Sequence, residues 1–193
     1  MTGARRWLAV SAAVLAVTAP FAGSPFRSAR GMIDVDELSR IVAHEEDHVT
    51  ALELAQWIKD RRAVRILDLR PSPQYDSLHI PGAEHAAIDS LTGLGLRAAD
   101  TVVLYSEAGA HAAQAWVFLR ALGFRRVFFL RGGMYEWIDQ VLSPTLAVGA
   151  TDAERLAFAR AAPLSRYFGG LPRAGVARVE QAKSVAQIRR RGC

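Results

Sequence analysis

Three short apolar runs, at residues 64–68, 101–105 and 126–130, most constrain the fold of this 193-residue chain. Each is too short for a buried helix and is bounded by charged or turn-forming residues, so each reads as a buried strand. Between and around them lie helix-patterned segments. Residues 51–60 carry Leu52, Leu54, Trp57 and Ile58, and residues 111–122 and 134–141 follow the second and third runs. Strands that alternate with helices cannot pair through tight hairpins, so the crossovers return each strand parallel to the last. The expected fold is therefore α/β, a three-layer domain with a mainly parallel central sheet, preceded by an N-terminal apolar helix and followed by a helical C-terminal extension. A chain that is 51% hydrophobic buries such a core without needing a second domain.

Several segments then follow one another in a particular order. Ile66-Leu67-Asp68-Leu69-Arg70 is a strand ending in Asp-x-Arg, and Gln74-Tyr75 precedes His79-Ile80-Pro81-Gly82-Ala83. Val102-Val103-Leu104-Tyr105 feeds a loop, and Gly123-Phe124-Arg125-Arg126-Val127 leads to Leu130-Arg131-Gly132-Gly133 and Trp137. In this order the segments resemble the rhodanese-like domain family over residues 47–142. The resemblance implies a sulfurtransferase fold whose active-site loop is Ser106-Glu107-Ala108-Gly109-Ala110-His111.

In that family the loop begins with a cysteine that accepts sulfane sulfur, and its backbone N–H groups face the resulting anion. Here Ser106 stands at that position. A strand running into a helix N-terminus presents unpaired donors and the positive end of the dipole, which suits an anion. A hydroxyl, however, has no comparable anionic population near neutral pH and needs an adjacent base to act as a nucleophile. His111, the only histidine in the loop, reads as a capping or solvent-facing side chain, and Glu107 would repel an anionic donor. The expectation is thus a loop that binds an anion, a small ligand or a protein partner and has no catalytic residue. Asp68 and Arg70 read as a structural ion pair or as lining of the site, and Trp137 and the Gly132-Gly133 turn as core and turn geometry. A related phosphatase loop would need a cysteine and a further arginine, and the chain has neither at these positions.

The sole cysteine is Cys193, so no intramolecular disulfide and no cysteine metal cluster can form, and no metal or cofactor is expected. It follows Arg189-Arg190-Arg191-Gly192, which favours a thiolate. The second functional reading is therefore a sulfurtransferase or sulfur relay with Cys193 as the sulfur carrier. A Cys193 without an assigned role is the plainer reading.

Charge is segregated. Residues 33–142 hold 11 Lys/Arg against 16 Asp/Glu, while residues 1–32 carry a net +4 and residues 143–193 a net +6. A basic face on the folded module, which nucleic-acid binding would need, is absent from this pattern, so no nucleic-acid partner is expected. Residues 7–26 contain no charge and follow Arg5-Arg6, so residues 1–30 read as a signal peptide or membrane anchor. With a basic tail at residues 171–193, this predicts an extracytoplasmic domain, inner-membrane anchored or periplasmic or secreted, with the membrane as a partner.

Residues 31–46 read as a leading helix. Inside it His44-Glu45-Glu46-Asp47-His48 fits the H-E-x-x-H zinc pattern, which requires one continuous helix. Thr50-Ala51-Leu52-Glu53 is a capping box that starts a new helix, so His48 should already be extended. A second capping box, Thr151-Asp152-Ala153-Glu154, opens the extension at residues 143–170, expected to bend or break at Pro163 and to stop at Gly169-Gly170.

Overall fold

A computed structural model describes residues 34–178 together with Trp7. The rest of the leader at residues 1–30, the tail beyond residue 178 and Cys193 lie outside the described residues. Five strands, β1 (His48–Val49), β2 (Arg65–Asp68), β3 (Ala83–His85), β4 (Val102–Tyr105) and β5 (Val127–Leu130), form one sheet in the order β1-β5-β4-β2-β3, with every pair parallel. β4 lies at the centre and is buried on both faces, as its unbroken apolar run requires.

Successive residues of the inner strands feed two separate cores. Ile66, Val103 and Tyr105 face α2 (Ala51–Lys59), the segment Gly133–Leu142 and Leu164. Leu67, Val102 and Leu104 face α4 (Ala110–Ala121), a 3₁₀ turn (Ile88–Gly93) and α1 (Val35–Ala43), which adds Leu38 and Ile41. This is the three-layer α/β arrangement that the alternation of strands and helices implies. A short α3 (Ser72–Ser77) links β2 to β3. The last helix of the domain, α5 (Gly133–Glu136), runs into π-helical turns at Trp137–Leu142 instead of continuing as the expected α-helix to residue 141.

The Thr50 capping box forms: the Glu53 amide donates to Thr50 Oγ1 at 3.2 Å and the Thr50 amide to Glu53 Oε2 at 2.8 Å. The leading helix is shorter than residues 31–46. It is capped by Asp34, ends at Ala43, and His44 and a left-handed Glu45 turn the chain away. His44 thus belongs to a helix end and His48 to β1, where its Nδ1 lies 2.7 Å from Asp47 Oδ1. The H-E-x-x-H residues share no helix, and among the described residues no group of three or more His, Cys, Asp or Glu is placed to hold a metal ion.

Beyond the sheet the chain forms β6 (Thr145–Ala147), α6 (Asp152–Tyr167) and β7 (Arg173–Val176), with β6 and β7 paired in parallel. α6 runs through Pro163 as one helix rather than breaking there, and the turn after the proline is held down from the other side. Leu164 and Ser165 are buried, and Phe168 packs edge-on against Trp137 at 5.2 Å. The backbone bond lost at Pro163, a cost of about 3 kcal/mol, falls on the exposed side of the helix, where Ala159 and Pro163 both face solvent. Residues 173–176, at the start of the basic tail, form a largely exposed strand. Among the described residues no helix is long and apolar enough to cross a membrane.

Candidate functional site

The C-terminal ends of β2 and β4 lie side by side, with Asp68 opposite Tyr105. Open parallel sheets place their sites at this edge. At the end of β2, Asp68 is fully buried and Arg70 is 8% exposed. Asp68 Oδ1 accepts from the Arg70 amide at 2.9 Å and from Nε at 3.0 Å, and Oδ2 accepts from an Arg70 terminal nitrogen at 2.6 Å. That same nitrogen donates to the Leu78 carbonyl at 2.6 Å. The Tyr105 hydroxyl donates to Asp68 Oδ2 at 2.5 Å and accepts from the Ile80 amide at 3.1 Å. Burial, reinforced by the bond to Asp68, pushes the Tyr105 hydroxyl well above the usual tyrosine range. The result is a closed ionic knot that fixes residues 78–80 against the sheet.

Gln74 takes no part in this knot; its side-chain oxygen is buried without a hydrogen-bond partner among the described residues. Tyr105 completes the network instead. Sequence reading missed this residue because a tyrosine in an apolar strand run looks like core. Its hydroxyl gains a partner only when β4 is laid beside β2, 37 positions away.

At the end of β4 the chain turns through residues 106–109 into α4. Ser106 is 3% exposed, and its Oγ accepts from the Ala112 amide at 3.3 Å. The Ser106 carbonyl accepts from the Met134 amide at 2.9 Å and the Glu107 carbonyl from Tyr135 at 3.2 Å. A planar trans peptide points its N–H opposite its C=O, so anchoring these two carbonyls on α5 turns the amides of Glu107 and Ala108 the other way. None of the amides of Glu107, Ala108, Gly109, Ala110 and His111 makes a hydrogen bond among the described residues. Five unspent donors thus cluster at the positive end of a 12-residue helix.

The Gly132-Gly133 turn holds the loop in this shape. Gly133 has φ +57°, and a Cβ there would lie 2.1 Å from the Ser106 carbonyl oxygen and 2.8 Å from the Gly109 nitrogen. Gly109, with φ +94°, caps α4 in the left-handed region. Only residues without a side chain permit this approach. Trp137 is buried in the core, in keeping with its reading as packing rather than ligand contact.

His111 is exposed and makes no hydrogen bond to Ser106, so among the described residues Ser106 has no base within reach. Glu107 is half-buried and Ala108 and Ala110 are exposed. Arg70, just past β2, and His111, in the first turn of α4, border one cleft together with His85, whose Nε2 lies 2.8 Å from the Arg70 carbonyl oxygen. Sequence reading did not single out His85, which lies on a strand too short to show a period. Asp68 does not border that cleft, so it supports the site only by fixing Arg70. Cys193 lies outside the described residues.

The rhodanese-like domain family model matches residues 50–140. Two Mycobacterium tuberculosis sequences named probable adenylyltransferase/sulfurtransferase MoeZ are 28% identical over 120 residues, which is 57% of this chain. The match takes in 31% of the length of those curated relatives. Among solved structures, a rhodanese-like domain from Anabaena sp. is 30% identical, covering 47% of this chain and 72% of its own at a TM-score of 0.43. A rhodanese-related protein from Thermoplasma volcanium is 25% identical, covering 47% of this chain and 89% of its own at a TM-score of 0.42.

Proposed function

Because residues 50–140 of this chain are a rhodanese-like domain, we propose that it serves as a binding module whose loop at residues 106–111 holds a small anion, or an anionic group of a ligand or protein partner, without carrying sulfur itself. The observation that carries this reading is the state of Ser106. Its hydroxyl is buried, engaged by the Ala112 amide and unattended by a base, while the five amides after it are unspent. An alcohol in that setting neither ionises nor forms a persulfide, but the amides around it still complement a negative charge. In this reading the chain is exported and tethered by residues 7–26, with the basic tail resting on an anionic membrane surface.

A second reading, sulfur transfer with Cys193 as the carrier, draws support from the name of the mycobacterial relatives, which includes sulfurtransferase. Thiosulfate-to-cyanide transfer by the full chain separates the two. The expected result is a silent wild type and activity gained in Ser106→Cys. Wild-type activity that disappears in Cys193→Ser would replace the binding reading with the relay. Binding itself is read from the amide chemical shifts of residues 107–111 on adding sulfate.

A further inference from the structure

Beside the loop an open cleft of about 870 Å³ runs along α4, within the size of ligand sites generally, roughly 300–1,000 Å³. His111 lines it at the start of the helix, and Phe118 and Leu122 line it two and three turns further on. Eleven residues at about 1.5 Å each make this wall roughly 16 Å long. Ile88 and Leu91 of the 3₁₀ turn, and His85, also line the cleft.

The two faces of α4 differ in a telling way. Ala112, Ala115, Trp116 and Leu119 are buried in the core, whereas Phe118 is 54% and Leu122 38% exposed, both at the cleft. The cleft is thus apolar at one end. Of the loop residues with unspent amides, His111 borders the cleft.

We infer that the cleft receives the hydrocarbon body of an amphiphilic monoanion, an aryl or alkyl sulfonate or carboxylate. The charged group sits at the His111 end on the loop amides, and the body lies among Phe118, Leu122, Ile88 and Leu91. Asp89, exposed on the 3₁₀ turn and also bordering the cleft, disfavours a second negative charge along the body. The inference rests on the anion-binding reading of the loop and adds to it the class of ligand.

Calorimetric titration of the full chain with naphthalene-2-sulfonate, methanesulfonate and 2-naphthol, in wild type, Phe118→Ser and Leu122→Ser, tests it. Naphthalene-2-sulfonate should bind at least about tenfold tighter than either fragment. Each substitution should lower that affinity by about tenfold and leave methanesulfonate unchanged; both side chains are exposed, so the fold is retained. If naphthalene-2-sulfonate binds no better than methanesulfonate, or if neither substitution weakens it, the inference is overturned while the loop reading stands. Equal affinity for 2-naphthol and naphthalene-2-sulfonate overturns it too, because the cleft then takes apolar groups irrespective of charge. Failure of both sulfonates to bind removes the loop reading along with it.

Discussion

The ends of β2 and β4 are neighbours in the sheet and opposites in chemistry. After β2, the knot of Asp68, Arg70 and Tyr105 satisfies the charges and polar groups it buries by one another or by the backbone of residues 78 and 80. After β4, the loop leaves five amides unspent while its serine hydroxyl and the carbonyls of Ser106, Glu107 and Gly109 accept hydrogen bonds. A site needs both: donors free to meet a ligand, and a surrounding that cannot relax to fill them. The knot and the Gly132-Gly133 turn supply the second, which is why the loop keeps an energetically open arrangement. On the proposed binding reading, the loop's open donors are kept in place by neighbours such as Asp68, Tyr105 and the Gly132-Gly133 turn, which lie outside the cleft lining.

The contrast is broken most severely by Asp68→Asn, which strands the buried Arg70 guanidinium without its counter-charge. A loss of about 3–5 kcal/mol in chemical denaturation is expected, with loss of sulfate-induced shifts at residues 107–111. A knot whose removal left those shifts unchanged would show that the two strand ends are independent. Next comes Gly133→Ala, whose added carbon meets the Ser106 carbonyl in a left-handed backbone. Its cost should be about 3 kcal/mol, and here anion binding should fail even under conditions where the fold persists, since the loop itself must move.

Tyr105→Phe is milder, at about 2 kcal/mol, because it leaves Asp68 Oδ2 and the Ile80 amide each short of one partner. The Tyr105 hydroxyl is held protonated in the fold, with its pKa above the unfolded value. Its stabilisation is therefore complete below about pH 10, the unfolded tyrosine value, and is lost as pH rises beyond that. Wild type should lose stability above that pH more steeply than Tyr105→Phe in a denaturation series against pH. The smallest effect belongs to Ser106→Ala, about 1 kcal/mol or less, from one long hydrogen bond to the Ala112 amide. Sulfate affinity should stay within about twofold, an effect of that single amide. A large loss would make the hydroxyl itself a ligand contact and narrow the difference between the two strand ends.

Much of the scaffold was legible because its signals are local. The strands that begin near residues 65, 102 and 127 announce themselves as apolar runs, and the boxes at Thr50 and Thr151 need only four residues each. Strands β1 and β3 and the β6–β7 pair were not legible, since two to four residues carry no period and their pairing depends on partners far along the chain. Pro163 misled for the same reason: its local preference is outweighed by the burial of Leu164 and the seating of Phe168 on Trp137, neither visible in the helix itself. At the site, the loop and its serine were readable from the motif. Tyr105, His85 and the exposed wall of Phe118 and Leu122 were not, because their roles arise from what the fold sets opposite them.

Helix α1 buries no residue completely, yet Glu37 on it reaches both Arg120 at the end of α4 and Arg125 in the turn beyond. One carboxylate therefore works as a latch across two segments, and the Arg125 and Arg120 guanidiniums keep it ionised below the usual carboxylate range. Tension on the chain ahead of Asp34 would be delivered to the far end of α4, the end remote from the loop. A pull of that kind would load α1 and this latch ahead of the strands that follow in the chain, at the end of α4 opposite residues 106–111.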